Sequence, residues 1–254
     1  MRRRISAVSY LNTIPFIYGI EHAGADLHAD LLLSPPSGSV AALCKHKADI
    51  ALIPVAAIPS FNDIHIFSGL CLGAHDAVRT VVLAGNTPLK DITTIYLDSH
   101  SRTSAVLVKI LAAELWDISP EWKKLTDYSL LDHPGKGDAF LLIGDKVFAY
   151  EGKFGYMLDL ASEWKKLTGL PFVFAAWVAR EDVDRKTLSD LDDALHYGVE
   201  HIGDAVGKSG YADKKEAYDY LTKNMDFIFD AQKRRAMELF WNKGMKADPL
   251  VNPG

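Results

Sequence analysis

Hydrophobic positions along the chain follow two periods. Short runs that are apolar throughout, or alternate apolar with polar, mark strands. Longer stretches with apolar residues three and four apart mark helices. Residues 3–8 (RRISAV), 30–34 (DLLLS), 48–55 (ADIALIPV), 77–85 (AVRTVVLAG), 93–98 (TTIYLD), 139–145 (AFLLIGD) and 170–179 (LPFVFAAWVA) predict strands. Residues 14–22 (IPFIYGIEH), 37–47 (SGSVAALCKHK), 103–116 (TSAVLVKILAAELW) and 156–169 (YMLDLASEWKKLTG) predict the helices between them. Leu107, Ile110, Leu111 and Leu115 share one helix face, as a buried stripe does. Beyond Arg180 the pattern is helical throughout, over 186–210, 214–224 and 231–244.

Strands that alternate with helices predict an α/β fold with parallel sheets. Two long apolar strands, in residues 77–88 and 170–179, bracket a compact middle section. They predict two lobes: residues 1–84 plus 176–254 form the first, and residues 85–175 an inserted second.

Composition changes this picture little. The 254 residues are 48% hydrophobic and 24% charged, which is ordinary for a globular chain, with a net charge of -5. No basic stripe is present, so nucleic acid is not an expected partner. The basic start MRRR is followed by Ser6, Ser9, Asn12, Thr13 and Pro15 rather than an apolar core, and no apolar run approaches the length of a membrane span. The expectation is a cytoplasmic protein with no membrane partner. Cys44 and Cys71 belong to no metal-ligand spacing and are expected to be buried free thiols. No HExxH, Walker loop, GxGxxG or GxSxG motif occurs.

Candidate chemistry lies at the carboxyl ends of the strands, where open α/β sheets bind ligands. The first strand runs into SYLNT, with Ser9, Tyr10, Asn12 and Thr13. The second runs into SPPSGS, and a later one into IGDK. Another runs into DSHSRTS, with Ser99, Ser101, Thr103 and Ser104 ahead of a strong helix. One such hydroxyl is the ordinary N-cap of a helix, but four exceed what a cap needs. Hydroxyls and the unpaired N–H groups of a helix start together suit an anion.

In combination and order, VSYLNTIPF, ADIALIPVAAI, LDSHSRTSAVLVKIL, LLIGDK and LTGLPFVFAAW resemble the chorismate dehydratases of the futalosine route to menaquinone. The resemblance spans nearly the whole chain and is loosest after Arg180. It implies a fold like that of type II periplasmic binding proteins: two α/β lobes, a central cleft and a helical C-terminal segment. It implies a lyase that takes water from chorismate, a dianion, to give 3-[(1-carboxyvinyl)oxy]benzoate without metal or organic cofactor. Asn12 matches the family asparagine placed at the proton-abstraction step. An amide is a weak base, so Asn12 could instead orient a substrate carboxylate that takes the proton. Ser9, Tyr10, Ser37, Thr80, Ser99, Ser101, Thr103, Ser104, Gly144 and Asp145 are the implied substrate-binding set. Thr80 stands where serine is expected, and Asp145 is expected to position its neighbours rather than touch a dianion. Two other readings stay open: a non-catalytic solute-binding protein of the same fold, and the sibling dihydroxynaphthoate synthase. The sibling's first strand leads into a SPCPNDTF-like segment, unlike SYLNTIPF.

Overall fold

The computed structural model describes residues 3–23, 29–98 and 102–247. The chain begins β1 (Arg3–Val8), α1 (Ile14–His22), β2 (Ala29–Ser34), α2 (Pro36–Cys44), β3 (Ile50–Pro54), β4 (Ile64–Ala74) and β5 (Val81–Gly85). It continues β6 (Thr94–Asp98), α3 (Arg102–Glu114), β7 (Glu121–Leu125), β8 (Asp138–Ile143), β9 (Tyr156–Asp159), α4 (Leu160–Thr168) and β10 (Phe172–Arg180). The C-terminal segment holds α5 (Arg185–Glu200), α6 (Ile202–Lys208), α7 (Lys214–Lys223), β11 (Asp226–Ile228) and α8 (Ala231–Ala247).

The strands form two sheets, one in the order β11-β4-β10-β3-β1-β2 and one in the order β7-β6-β8-β5-β9. The fold is α/β and two-lobed, with one sheet per lobe. Both sheets are mixed rather than parallel. β1 runs parallel to β2 and β3, but β10 is antiparallel to β3 and β4. In the second sheet β6 runs parallel to β7 and β8, but β5 is antiparallel to β8 and β9. The chain leaves the first sheet between Ala74 and Val81 and returns to it between Asp159 and Phe172. The expected boundaries at 84/85 and 175/176 fall inside β5 and β10, each of which stays whole within one sheet. A strand keeps its ladder on one sheet, so the crossings use the irregular segments beside it.

Three elements depart from the pattern reading. β4 has eleven residues, but Ser68, Gly69 and Gly73 and the register shifts against β10 break its alternation. β7 is a charged edge strand, EWKKL, whose polarity protects an unpaired edge. Residues 156–159 form β9 rather than the first turn of a helix. Asp159 caps α4 by accepting from Ala161 N and Ser162 N, at 3.0 Å each, so the helix starts at Leu160.

The core gathers aromatic rings where the lobes meet. Phe172 of β10 packs edge-on against Trp164 of α4 and Phe240 of α8, with centroids 5.3 Å away in both cases. All three rings are buried, each phenylalanine contributing about 1.5–3 kcal/mol by leaving water. α8 also donates Trp241 Nε1 to Val55 O at 2.8 Å and pairs Lys243 with Glu114 of α3. On the outer face α1 crosses α5 at two glycines. A Cβ on Gly198 would stand 1.9 Å from Pro15 O, and one on Gly19 2.0 Å from Ala194 O.

Candidate functional site

β1 ends at Val8 and the chain turns at once into α1. The Thr13 hydroxyl closes the turn, 2.5 Å from Val8 O and 2.7 Å from Tyr10 O, and Pro15 stands in the first turn of the helix. Thr13 is therefore a structural residue, and Tyr10 and Asn12, which precede it, line a cleft.

The cleft, counted together with the open solvent at its mouth, holds about 570 Å³ of unfilled space. Tyr10, Asn12, Thr80, Thr103, Ser104 and Gly144 line it, against a wall of Val8, Pro36, Pro54, Leu72, Val78, Val81, Ile143, Phe174 and Ala175. Both lobes contribute. No side chain among these carries a charge at neutral pH, and Tyr10 is the one that titrates. Burial, and after it the Asp98 charge, raise the Tyr10 phenol above its ordinary pKa, so it stays neutral.

Gly144 follows β8 with φ 74° and ψ −168°, a backbone region open almost only to glycine. Its N–H donates to Thr80 O at 2.9 Å, and the Tyr10 ring lies where a side chain would be: a Cβ would stand 3.3 Å from Tyr10 Cζ. Asp145 turns away from the main cleft. Its two oxygens accept from Leu11 N at 3.1 and 3.2 Å, linking the end of β8 to the turn after β1. Burial raises the Asp145 carboxyl above the usual range, and the Leu11 N–H works against that rise. At the mouth, Lys146 pairs with the buried Asp98 and donates to the Tyr128 hydroxyl at 2.8 Å.

α3 points its N-terminal turn at the cleft through Thr103 and Ser104, both 1% exposed. The Thr103 hydroxyl accepts from Ala56 N and donates to Phe174 O, each at 3.2 Å, so its hydrogen is committed to the backbone of the first lobe. Thr80 is 2% exposed, and its hydroxyl lies 2.9 Å from the hydroxyl of Tyr220. Asn12 Oδ1 is buried and has no hydrogen-bond partner among the described residues. An unpartnered buried acceptor costs about 1–3 kcal/mol until something donates to it.

Two expected residues lie elsewhere. Ser9 and Ser37 are exposed and outside the lining. Among the described residues Ser9 hydrogen-bonds through its backbone N–H, to Ser34 O, and Pro36 lines the cleft where Ser37 does not. Ser99 and Ser101 lie outside the described residues. Both cysteines are free, but Cys44 is exposed rather than buried, because α2 lies on the surface of its sheet. No metal-binding cluster of histidine, cysteine or acidic residues occurs among the described residues. None of their helices is long and apolar enough to cross a membrane. Tyr220 was invisible to motif reading: it sits mid-helix in α7, in the segment where the resemblance is loosest.

Residues 3–246 match the family model described as menaquinone biosynthesis. The chain belongs to that family. Protein AF1704 from Archaeoglobus fulgidus is similar over 97% of both chains, with a TM-score of 0.75 and 17% identity. An ABC transporter protein from Parabacteroides distasonis is similar over 98% of this chain and 94% of its own, with a TM-score of 0.67 and 14% identity. The periplasmic aliphatic sulphonate binding protein SsuA from Escherichia coli is similar over 98% of this chain and 93% of its own, with a TM-score of 0.60 and 15% identity. At these identities the neighbours establish the fold, that of the periplasmic binding proteins, and the family model places the protein in menaquinone biosynthesis.

Proposed function

We infer that this member of the menaquinone biosynthesis family is a chorismate dehydratase acting in its cytoplasmic compartment. The observation that carries the reading is the cleft between the lobes, lined by the uncharged polar residues Tyr10, Asn12, Thr80, Thr103 and Ser104. A dianion entering it is held by oriented donors, the Ser104 hydroxyl and the first N–H groups of α3, rather than by a fixed cation. Such contacts tighten on charge that shifts during reaction without trapping the ground state in an ion pair.

The reaction asks for little beyond position. The C3–H bond breaks, the C4–O bond breaks, and a double bond forms between these carbons to complete the aromatic ring. The proton and the hydroxide leave together as water, with no net oxidation. Asn12 accepts the substrate's hydroxyl hydrogen and fixes the ring, and a carboxylate of the substrate is the stronger base for the C3 proton. Tyr10 and the apolar wall cover the ring.

The test is incubation of purified protein with chorismate, following aromatic absorbance and the loss of one water by mass spectrometry. Asn12→Ala should lower kcat on the order of 10²-fold, more than it raises KM, the worth of one positioned polar group in a transition state. Asn12→Asp should also lose most activity, because a carboxylate there repels the substrate's own. Retained turnover in Asn12→Asp would make this side chain a true base. The transport-protein neighbours favour a second reading, a binding protein that holds an anion unchanged. On that reading chorismate binds saturably and is recovered intact.

A further inference from the structure

We propose that Arg79 is a positioning residue that clasps the two lobes together behind the cleft: its main chain sets Thr80 on the lining, and its guanidinium bridges Glu151 of the second lobe to Glu216 of the first. The kinetic consequence rests on the dehydratase reading; the geometry does not. Arg79 lies in the first crossing, between β4 of one sheet and β5 of the other. Its φ is 67°, in the left-handed region that a residue with a Cβ enters at a cost. The contacts around it hold it there. Its N–H donates to Asp159 Oδ2 at 2.6 Å, and Asp159 ends β9, where the chain leaves the second sheet to return. Nε and Nη2 donate to the two oxygens of Glu151, at 2.6 and 2.8 Å. Nη2 also donates to Glu216 Oε1 at 3.1 Å. Glu216 stands in the first turn of α7, which leads into β11 of the first sheet.

Aromatic contacts close a ring behind the cleft. The guanidinium carbon lies 4.6 Å from the centre of the Phe148 ring, and Phe148 packs edge-on against Tyr220 of α7 with centroids 5.6 Å apart. The Tyr220 hydroxyl is 2.9 Å from Thr80 Oγ1, and Thr80, which follows Arg79 directly, lines the cleft. Arg79 and Glu151 both adjoin strands of the second sheet, so the guanidinium reaches across the interface at Glu216. A guanidinium fork is rigid, and it separates two carboxylates that would otherwise repel each other. Parting the lobes on this side breaks the Glu216 contact and draws Thr80 away from Tyr220. The clasp therefore sets the fraction of molecules in which the cleft is assembled before a ligand arrives. A ligand that touches both lobes binds in proportion to that fraction.

The test is Glu216→Gln, which keeps the side chain's shape and removes the charge that meets Arg79 across the interface. Spin labels on the exposed native Cys44 of the first lobe and on an exposed Thr126→Cys of the second report the distance between lobes, and the buried Cys71 stays unlabelled. With Glu216 and Arg79 intact, one distance should be found without ligand. Glu216→Gln should add a longer one, and saturating chorismate should restore the first. Glu216→Gln should raise KM by about 2- to 10-fold at unchanged kcat, and the rise should equal the fall in the short-distance fraction. Arg79→Met should open the lobes further, and adding Glu216→Gln to it should close them part-way by removing the repulsion. Distances that are the same in every variant overturn the proposal, whatever happens to the melting temperature. So does a rise in KM with no second distance. If Arg79→Met does not fold, Glu216→Gln decides by itself. If wild-type protein binds chorismate without forming product, the dehydratase reading fails, the dissociation constant replaces KM, and the distances still decide the role of Arg79.

Discussion

Replacing Gly144 by alanine tests whether the cleft depends on backbone shape rather than on side chains alone. The position has φ 74° and ψ −168°, where a residue with a Cβ costs about 1–3 kcal/mol. The added methyl would stand 3.3 Å from Tyr10 Cζ and 3.5 Å from Cε1 and Cε2, so the ring must shift by a few tenths of an ångström. The ring edge can yield, so backbone strain dominates. For a chain of this size the loss corresponds to a melting temperature lower by roughly 2–12 °C. The strain also has somewhere to go. Gly144 N–H holds Thr80 O, and Asp145 holds Leu11 N, the residue before Asn12. Relaxing the turn therefore displaces two lining residues, and turnover should fall with stability. Gly169→Ala is the control. It has φ 73° at the end of α4 with open space around it, so it should lose about 1 kcal/mol and keep full activity. Thermal unfolding and steady-state kinetics on chorismate read both. A Gly144→Ala protein matching the wild type in melting temperature and kcat/KM would refute the argument, and one matching Gly169→Ala in activity would refute its functional half.

Asp145→Asn should stabilise the fold at neutral pH. Burial raises the folded-state pKa, so ionisation costs stability as pH rises through and beyond the unfolded value of about 4, and the amide removes that cost while still accepting from Leu11 N. The gain should disappear below that pH, and a gain that grows toward acid would contradict it. Gly198→Ala puts a methyl 1.9 Å from a backbone carbonyl, so it should lose more than about 4 kcal/mol or fail to accumulate as soluble protein; a wild-type melt would show that α1 and α5 do not cross there. Ser104→Ala should weaken chorismate binding by about 1–3 kcal/mol in calorimetric titration, and unchanged affinity in a folded variant would reduce the α3 hydroxyls to caps.

What could be read from the chain follows what is local. β1, α1, β3, α3 and β8 lie within a residue or two of their predicted ranges, because each carries its own periodicity and punctuation. β4 was not legible, since its partner β10 supplies the register shifts that its sequence pattern lacks on its own. β9 reads as helix because YMLD joins an amphipathic run, and only the Asp159 cap separates them. The sheets' mixed polarity depends on which strands meet, and no stretch of sequence states that. The site divides the same way. Tyr10, Asn12, Thr80, Thr103, Ser104 and Gly144 sit at strand ends or helix starts and reach one cleft, while Ser9 and Ser37, from the same kinds of junction, face solvent. Strand-end position finds the neighbourhood, but the direction of a side chain within a turn needs three dimensions. Tyr220 needs them entirely.

The contacts between the lobes and the lining of the cleft are largely the same contacts. Asp145, beyond β8, holds the backbone of Leu11; Thr103, on α3, holds Ala56 and Phe174; Tyr10 rests on Gly144. Each joins a residue of one lobe to a residue of the other, and each either lines the cleft or adjoins a residue that does. The relative placement of the lobes and the placement of Asn12 are therefore one geometric quantity. A change that opens the Asp145–Leu11 contact must also move the turn that carries Asn12 away from Gly144. The cost of holding Asn12 Oδ1 without a partner is then borne by the interlobe contacts and the aromatic cluster at Trp164, Phe172 and Phe240, which keep the amide aimed before any ligand arrives. For a reaction that asks mainly for position, that preorganisation is the part of catalysis the fold itself supplies.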